Sequence, residues 1–284
     1  MKKIHSIWCI FSIFFVFSLL ICLFVPSTYA SDQTTLNPDI LFEAGQNLLS
    51  SSNPQDMVKG IALIISAANE GSAKAMVQMG MMYSSGLGKL LSEDFVEGTE
   101  PEQALSWYIK AAEAGEKELA ASAIATDAFS YFLGKEDGSI KEDDAVALTY
   151  FQQAAEYGDP SAINMMVTFY LYGFGVEQDP DKALELCSSL ADKGDEDALF
   201  AMEDYAYAYY AGTKDGLDIN FGTSFKFYEK LTEYGNVRAM YNIGLLYEYG
   251  LGTPRDHDKA VEWLTKASAA GYEPAKSMLD AFSD

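Results

Sequence analysis

Ala67-Ala68-Asn69-Glu70-Gly71, Ala111-Ala112-Glu113-Ala114-Gly115 and Ala154-Ala155-Glu156-Tyr157-Gly158 are copies of one box: two small residues, two spacers and a glycine. The box returns in looser form before Gly194 and Gly235, and again as Ala267-Ser268-Ala269-Ala270-Gly271. Successive box glycines lie 44, 43, 36, 41 and 36 residues apart. That is the period of a chain of stacked helix pairs, in which each pair buries its apolar face only against its neighbours.

Alignment on the box glycine turns the repeat into columns. Eleven residues before it stand Gly60, Ala104, Ala147, Ala183, Ser224 and Ala260, all small enough for two helix backbones to approach closely. Large apolar residues fill the columns eight and seven before it, Leu63-Ile64, Trp107-Tyr108, Tyr150-Phe151, Leu186-Cys187, Phe227-Tyr228 and Trp263-Leu264. With the small residues of the box they trace one buried face at helical period, which predicts the second helix of each unit, helix B. Fifteen before the glycine, Asp56, Glu100, Asp143, Asp179, Asn220 and Asp256 are expected to cap the start of helix B, with Pro101 and Pro180 at its first position. The box glycine is expected to stop it in a left-handed conformation.

Helix A follows each box glycine. Ala75, Ala162, Ala198, Ala239 and Ala275 open it, and Met79-Gly80 or Ile243-Gly244 form its middle contact. It ends in Gly86-Leu87-Gly88, Gly173-Phe174-Gly175 or Gly250-Leu251-Gly252. A Gly-x-Gly that cradles phosphate follows a strand and carries a third Gly or a Lys-Ser/Thr; these follow a helix and read as helix–helix turns. From Ala120 to Gly134 and from Ala198 to Gly212 is 14 residues, against 11 in the other units. Helix A of units 3 and 5 should therefore be about one turn longer.

Residues 239–271 carry Ala239, Ile243-Gly244, Tyr247, Gly250, Gly252, Asp256, Lys259-Ala260, Trp263 and Lys266-Ala267. This pattern resembles the Sel-one-like repeat, a relative of the tetratricopeptide repeat, and residues 162–194 match it except at Val167 and Leu190. The resemblance implies an all-α, right-handed α-superhelical solenoid of about six helix-turn-helix repeats, at about 40–71, 72–115, 116–158, 159–194, 195–235 and 236–271. A capping helix is expected over 273–284. It also implies a non-enzymatic scaffold that binds a protein, or else a peptide or glycan strand, along a concave face made by the A helices. By analogy with tetratricopeptide geometry that face would show Lys74, Val77, Met81 and Ser84, then Ser161, Asn164, Thr168 and Leu171, then Arg238, Tyr241, Leu245 and Glu248. A cysteine-rich secreted branch of the family resembles β-lactam-binding or hydrolysing proteins, but its repeats each carry a Cys pair and these do not.

The first 30 residues read as an export signal. Lys2 and Lys3 precede an apolar run from Ile7 to Val25, and Thr28-Tyr29-Ala30 offers small residues for cleavage. The run is long enough to remain as an anchor if it is not cut, and in either case the two lysines place the rest outside the cytoplasm. Residues 31–39 are expected to be a short linker. Without the signal the chain has 17 basic and 42 acidic residues, a net charge of −25. Such a surface repels nucleic acid and anionic lipid. It favours solubility, and it also suits steering of a basic partner or weak divalent-ion binding. Only Cys187 and His257 remain after position 30, so no internal disulfide, zinc site, cofactor site or Ser-His-Asp set is expected. The alternative to a scaffold is a cell-envelope hydrolase working with carboxylates alone.

Overall fold

The computed structural model describes residues 37–86, 100–134 and 140–283. Among these residues lie thirteen α-helices and no strand. In chain order they are α1 (Pro38–Leu49), α2 (Pro54–Asn69), α3 (Ala73–Ser84), α4 (Pro101–Glu113), α5 (Lys117–Leu133), α6 (Asp144–Glu156), α7 (Pro160–Tyr172), α8 (Pro180–Ala191), α9 (Glu196–Ala211), α10 (Phe221–Glu233), α11 (Val237–Tyr249), α12 (His257–Ala269) and α13 (Glu273–Ser283). Odd numbers to α11 are A helices, even numbers are B helices, and α13 follows the last pair. Each helix packs on its neighbours in the chain, so the architecture is an all-α helical-repeat solenoid. The proposed signal lies outside the described residues, as do Lys89–Gly98, an insertion in unit 2 that units 4 and 6 lack, and Asp137-Gly138, which follows the long helix A of unit 3.

The columns explain the packing. Every residue of the small column is buried, as are Ile64, Tyr108, Phe151, Cys187, Tyr228 and Leu264 one face further on. A Cβ added at Gly60 would stand 2.7 Å from the Gly45 carbonyl, and one at Gly80 would stand 2.4 Å from the Tyr108 ring. Helices A and B therefore touch where only small residues fit. The column that holds the tryptophans is more open than expected: Tyr150 and Phe227 are buried, but Trp107 and Trp263 are half-buried. Lys110 and Lys266 lie over their rings at 4.2 and 4.1 Å, so the lysine stems shield what the core leaves uncovered.

The helix ends are built from side chains read above, with two exceptions. Asp143, Asp179, Asn220 and Asp256 each accept the third backbone N–H of their B helix at 2.9–3.0 Å. Their own N–H groups donate to the carbonyls of Tyr131, Tyr170, Tyr209 and Tyr247 in the preceding A helix. Asp56 does not cap: α2 starts a turn earlier at Pro54, under Asn53, and Asp56 accepts from Ser51 Oγ instead. Glu100 stands at the cap position of α4 but makes no capping bond. Likewise α1 starts at Pro38, so the expected linker ends inside a helix capped by Asn37.

All six box glycines have positive φ, from 75° to 115°. The residue after each donates its N–H to the carbonyl five residues back, as Ser72 does to Ala67 and Tyr272 to Ala267. That closes helix B in a Schellman turn. Ser72, Asp159, Asp195 and Asn236 then cap the next A helix with their side chains. The long A helices are α5 and α9, with 17 and 16 residues against 12 or 13 in α1, α3, α7 and α11. At the end of the chain, Ala275, Met278, Leu279 and Phe282 of α13 pack against Leu264 and Ala267 and cover the last pair.

The second glycine of Gly250-Leu251-Gly252 has a further role. Its φ is 71°, and a Cβ there would lie 2.2 Å from the Phe221 carbonyl of the previous repeat. At Gly271, φ is 89° and nothing lies within 4 Å of an added Cβ. Gly271→Ala should cost about 1–2 kcal/mol, the conformational penalty alone. Gly252→Ala should cost clearly more, because backbone must move as well. Thermal melts of the two variants side by side would check this, and equal losses would mean that the repeat interface yields freely.

Candidate binding face

The A helices expose one stripe each, and the stripe is not quite the one expected. Lys74, Met81, Ser161, Asn164 and Arg238 are exposed, and Thr168, Tyr241 and Leu245 are half-buried. Val77, Ser84, Leu171 and Glu248 are buried and cannot meet a partner. Val77 packs on the α4–α5 core, and Leu171 belongs to the cluster with Ala183 and Cys187. The stripe follows Lys74, half-buried Gln78, Met81 and Ser85 in unit 2, one residue off the expected register. On α7 the half-buried Tyr172 continues it in place of Leu171; on α11 the exposed Tyr249 does so in place of Glu248. The α3 stripe is tied to the first pair by Gln46 Nε2, which donates to Gln78 Oε1 at 3.0 Å.

Unit 5 carries the most exposed part of this face, and the sequence reading had left it out. Phe200 and Tyr207 of α9 are 77% and 51% exposed; in unit 3, Leu133 at the end of α5 is 71% exposed. The signal was present: residues 197, 200, 204 and 207 follow helical spacing outside the small and apolar columns.

Two buried carboxylates lie off this stripe, in different repeats. Asp127 on α5 accepts from Tyr108 OH at 2.7 Å. Burial, then Asp127, raises the Tyr108 hydroxyl above its ordinary pKa. Glu248 sits in the last turn of α11, where a negative charge meets the negative end of the helix. It is held there by His257 Nδ1 at 2.6 Å and Arg255 Nη2 at 2.5 Å, while Arg255 Nε donates to the Glu248 carbonyl at 2.8 Å. The His257 ring also packs on Phe282 of α13 at 4.9 Å. The partner of His257 comes from across the helix turn. Its bond to Glu248, and then that of Arg255, hold the carboxyl below its usual pKa. Cys187 is buried, and burial pushes its thiol up to about 12, which leaves it unreactive at neutral pH. Among the described residues no three His, Cys, Asp or Glu gather as metal ligands, and no helix is long and apolar enough to cross a membrane.

The Sel1 repeat family pattern matches residues 73–116, 127–159, 161–195, 199–235 and 237–272. The first helix pair packs as the others do although no match covers it. Chitin synthase regulatory factor 4 of Schizosaccharomyces pombe is 28% identical over 144 residues, covering 50% of this chain and 22% of that protein. DAP3-binding cell death enhancer 1 of Rattus norvegicus is 32% identical over 109 residues, covering 38% and 18%. This chain thus spans less than a quarter of these curated relatives. Among solved structures, the protective antigen c5321 of uropathogenic Escherichia coli, which displays an SLR fold, is 24% identical; the match covers 84% of this chain and 47% of that one at a TM-score of 0.37.

The Glu248 cluster has a signature in pH. A carboxyl whose folded pKa is lowered adds stability that is complete above its unfolded value, about 4.3, and that disappears as pH falls through the folded value. Arg255 and His257 are 69% and 52% exposed, so water screens the pair and Glu248→Gln should cost about 1 kcal/mol at pH 7. The gap in melting temperature between wild type and this variant should be present at pH 5 and close as pH falls below about 4. A gap that persists at pH 2 would show that packing, not charge, is what Glu248 supplies.

Proposed function

This chain belongs to the Sel1 repeat family, and on that premise we propose that it is an exported, non-enzymatic scaffold that binds a protein partner along its A helices. The observation that carries the reading is the division of each A helix. One side is locked into the core at Ala75, Ala162, Ala198 and Ala239, all 0–3% exposed. The other side presents side chains with no packing duty, including Met81, Asn164, Phe200 and Tyr249. Exposed apolar side chains mark contact surfaces where they gather into a patch. Relatives whose names describe a regulatory factor, a binding protein and, in Arabidopsis thaliana, a ubiquitin-ligase component support binding as the shared task. A peptide or glycan strand is an alternative occupant of the same face.

Export is proposed on Lys2, Lys3, the Ile7–Val25 run and Thr28-Tyr29-Ala30, which together have the three parts of a secretion signal. Amino-terminal sequencing of the protein from its own cells should return Ser31 as the first residue. A chain recovered from membranes with Lys2 and Lys3 intact would make the run an anchor.

Photo-crosslinking separates the faces. A benzophenone side chain placed at Met81, Asn164 or Tyr249 should yield discrete protein adducts in the native envelope. The same group at Glu185 or Glu229, exposed on B helices, should yield none. Adducts only from the B positions would overturn the proposed face.

A further inference from the structure

Between α9 and α10 the chain makes a tight turn whose two ends are anchored and whose tip is free. Leu217 N–H donates to the Lys214 carbonyl at 3.2 Å, which closes residues 214–217. Gly216 stands at the third position of this turn with φ 81°, where glycine is favoured. Before the tip, the Lys214 ammonium lies 2.5 Å from Asp204 Oδ2 and 4.5 Å from the centre of the Tyr205 ring. After it, Leu217 is buried in the core that holds Phe227 and Tyr228.

The tip is Asp215-Gly216, and both residues are exposed. Among the described residues the Asp215 carboxylate takes part in no hydrogen bond or ion pair, and the Gly216 N–H donates to none. These are the two groups that react when an aspartyl-glycyl pair cyclises. Glycine eases the reaction because no side chain stands between its nitrogen and the neighbouring carboxyl. Two long bonds at the surface oppose the rotation that brings the groups together. One is the turn bond itself, and the other runs 3.5 Å from Gln178 Nε2 to the Gly216 carbonyl. Water replaces both at little cost. Asp218 supplies the contrast: it is exposed too, but the branched side chain of Ile219 crowds the nitrogen that follows it.

We propose that Asp215-Gly216 is a site of spontaneous covalent modification, where aspartate isomerises to isoaspartate and the turn lets go of Lys214. The Gly216 nitrogen attacks Cγ of the protonated Asp215 carboxyl. The N–Cγ bond forms, the Cγ–O bond breaks, and the hydroxyl leaves as water with the amide proton. Water then adds to the Asp215 main-chain carbonyl of the five-membered succinimide, breaks its bond to the Gly216 nitrogen and restores a carboxyl group. No atom is gained or lost overall, but the main chain now runs through the Asp215 side chain. It is longer by one carbon–carbon bond, about 1.5 Å. The turn between Lys214 and Leu217 does not close over that insertion while Leu217 stays buried, so Lys214 leaves Asp204.

The test ages the full chain for several weeks, warm and at neutral pH, beside Asp215→Ser, which keeps a small polar residue in the turn but has no carboxyl to cyclise. The substituted side chain is exposed, and matching circular dichroism will confirm that the variant folds. Digestion at glutamate frees peptide 204–229, which contains Asp215 and Asp218 but not Asp137-Gly138. In the aged wild type a second form of this peptide should appear with unchanged mass, preceded by one lighter by a water. Fragmentation should place the extra main-chain carbon at residue 215, and the Asp215→Ser peptide should stay single. Amine acetylation gives the second readout. Lys214 should label several-fold faster in aged than in fresh wild type, measured against Lys193, which is exposed and in no ion pair among the described residues. Asp215→Ser should show no such rise. An intact aspartate at 215, or isoaspartate as abundant at Asp218 as at Asp215, would overturn the site. Isoaspartate at 215 with unchanged Lys214 labelling would overturn the release of Lys214.

Discussion

Chain reversal at the end of each B helix is the constraint on which this architecture depends. A glycine with positive φ ends the helix, and the next residue bonds back five positions and then starts the following A helix. Only three or four residues separate B from the next A, as at 70–72, 192–195 and 270–272. So little slack lets these backbone hydrogen bonds, together with the packing of the core columns, set how one repeat meets the next. The A-to-B side of each pair is freer, and the chain varies there: it needs only 50–53 in the first unit, 173–179 and 250–256 in units 4 and 6, and 85–100 in the longest. Insertions therefore gather along one edge, while the stack of cores stays continuous.

What could be read in the sequence follows from that division. The small column, the apolar column beside it and the box glycines each answer to one invariant physical demand: close backbone approach, burial, or positive φ. Those demands repeat six times, so the residues that meet them stand out by repetition alone. Capping was legible wherever the cap also tied back to the preceding A helix, as Asp143 and Asp256 do. It failed at Asp56, where an Asn-Pro three residues upstream made an earlier start available.

The exposed stripe was harder to read because A helices are apolar on more than one side. In α7 the run Met165-Met166-Val167 gives no clean period, and a phase error of one residue moves a position from solvent to core. That is how Leu171 and Glu248 were placed on the surface. Glu248 also looks like a surface acid until the geometry shows Arg255 and His257 folding back onto it from across the turn. No local pattern encodes that return.

The exposed stripe differs from unit to unit because no neighbouring repeat restrains it. In a stacked array the interfaces fix the core columns, while the outward side of each A helix answers only to solvent and partner. Met81, Asn164, Phe200 and Tyr249 all lie on the outward side of A helices but share no chemistry. Acidity is a property of the chain as a whole, with 42 acidic against 19 basic residues, and it has an energetic consequence. Like charges along an extended array repel one another and oppose compaction. A partner bringing cations to that surface would relieve the repulsion as it binds, and a ligand that favours the folded state stabilises it by mass action. Binding and stability would then be coupled through charge, most strongly at low salt, where screening is weakest.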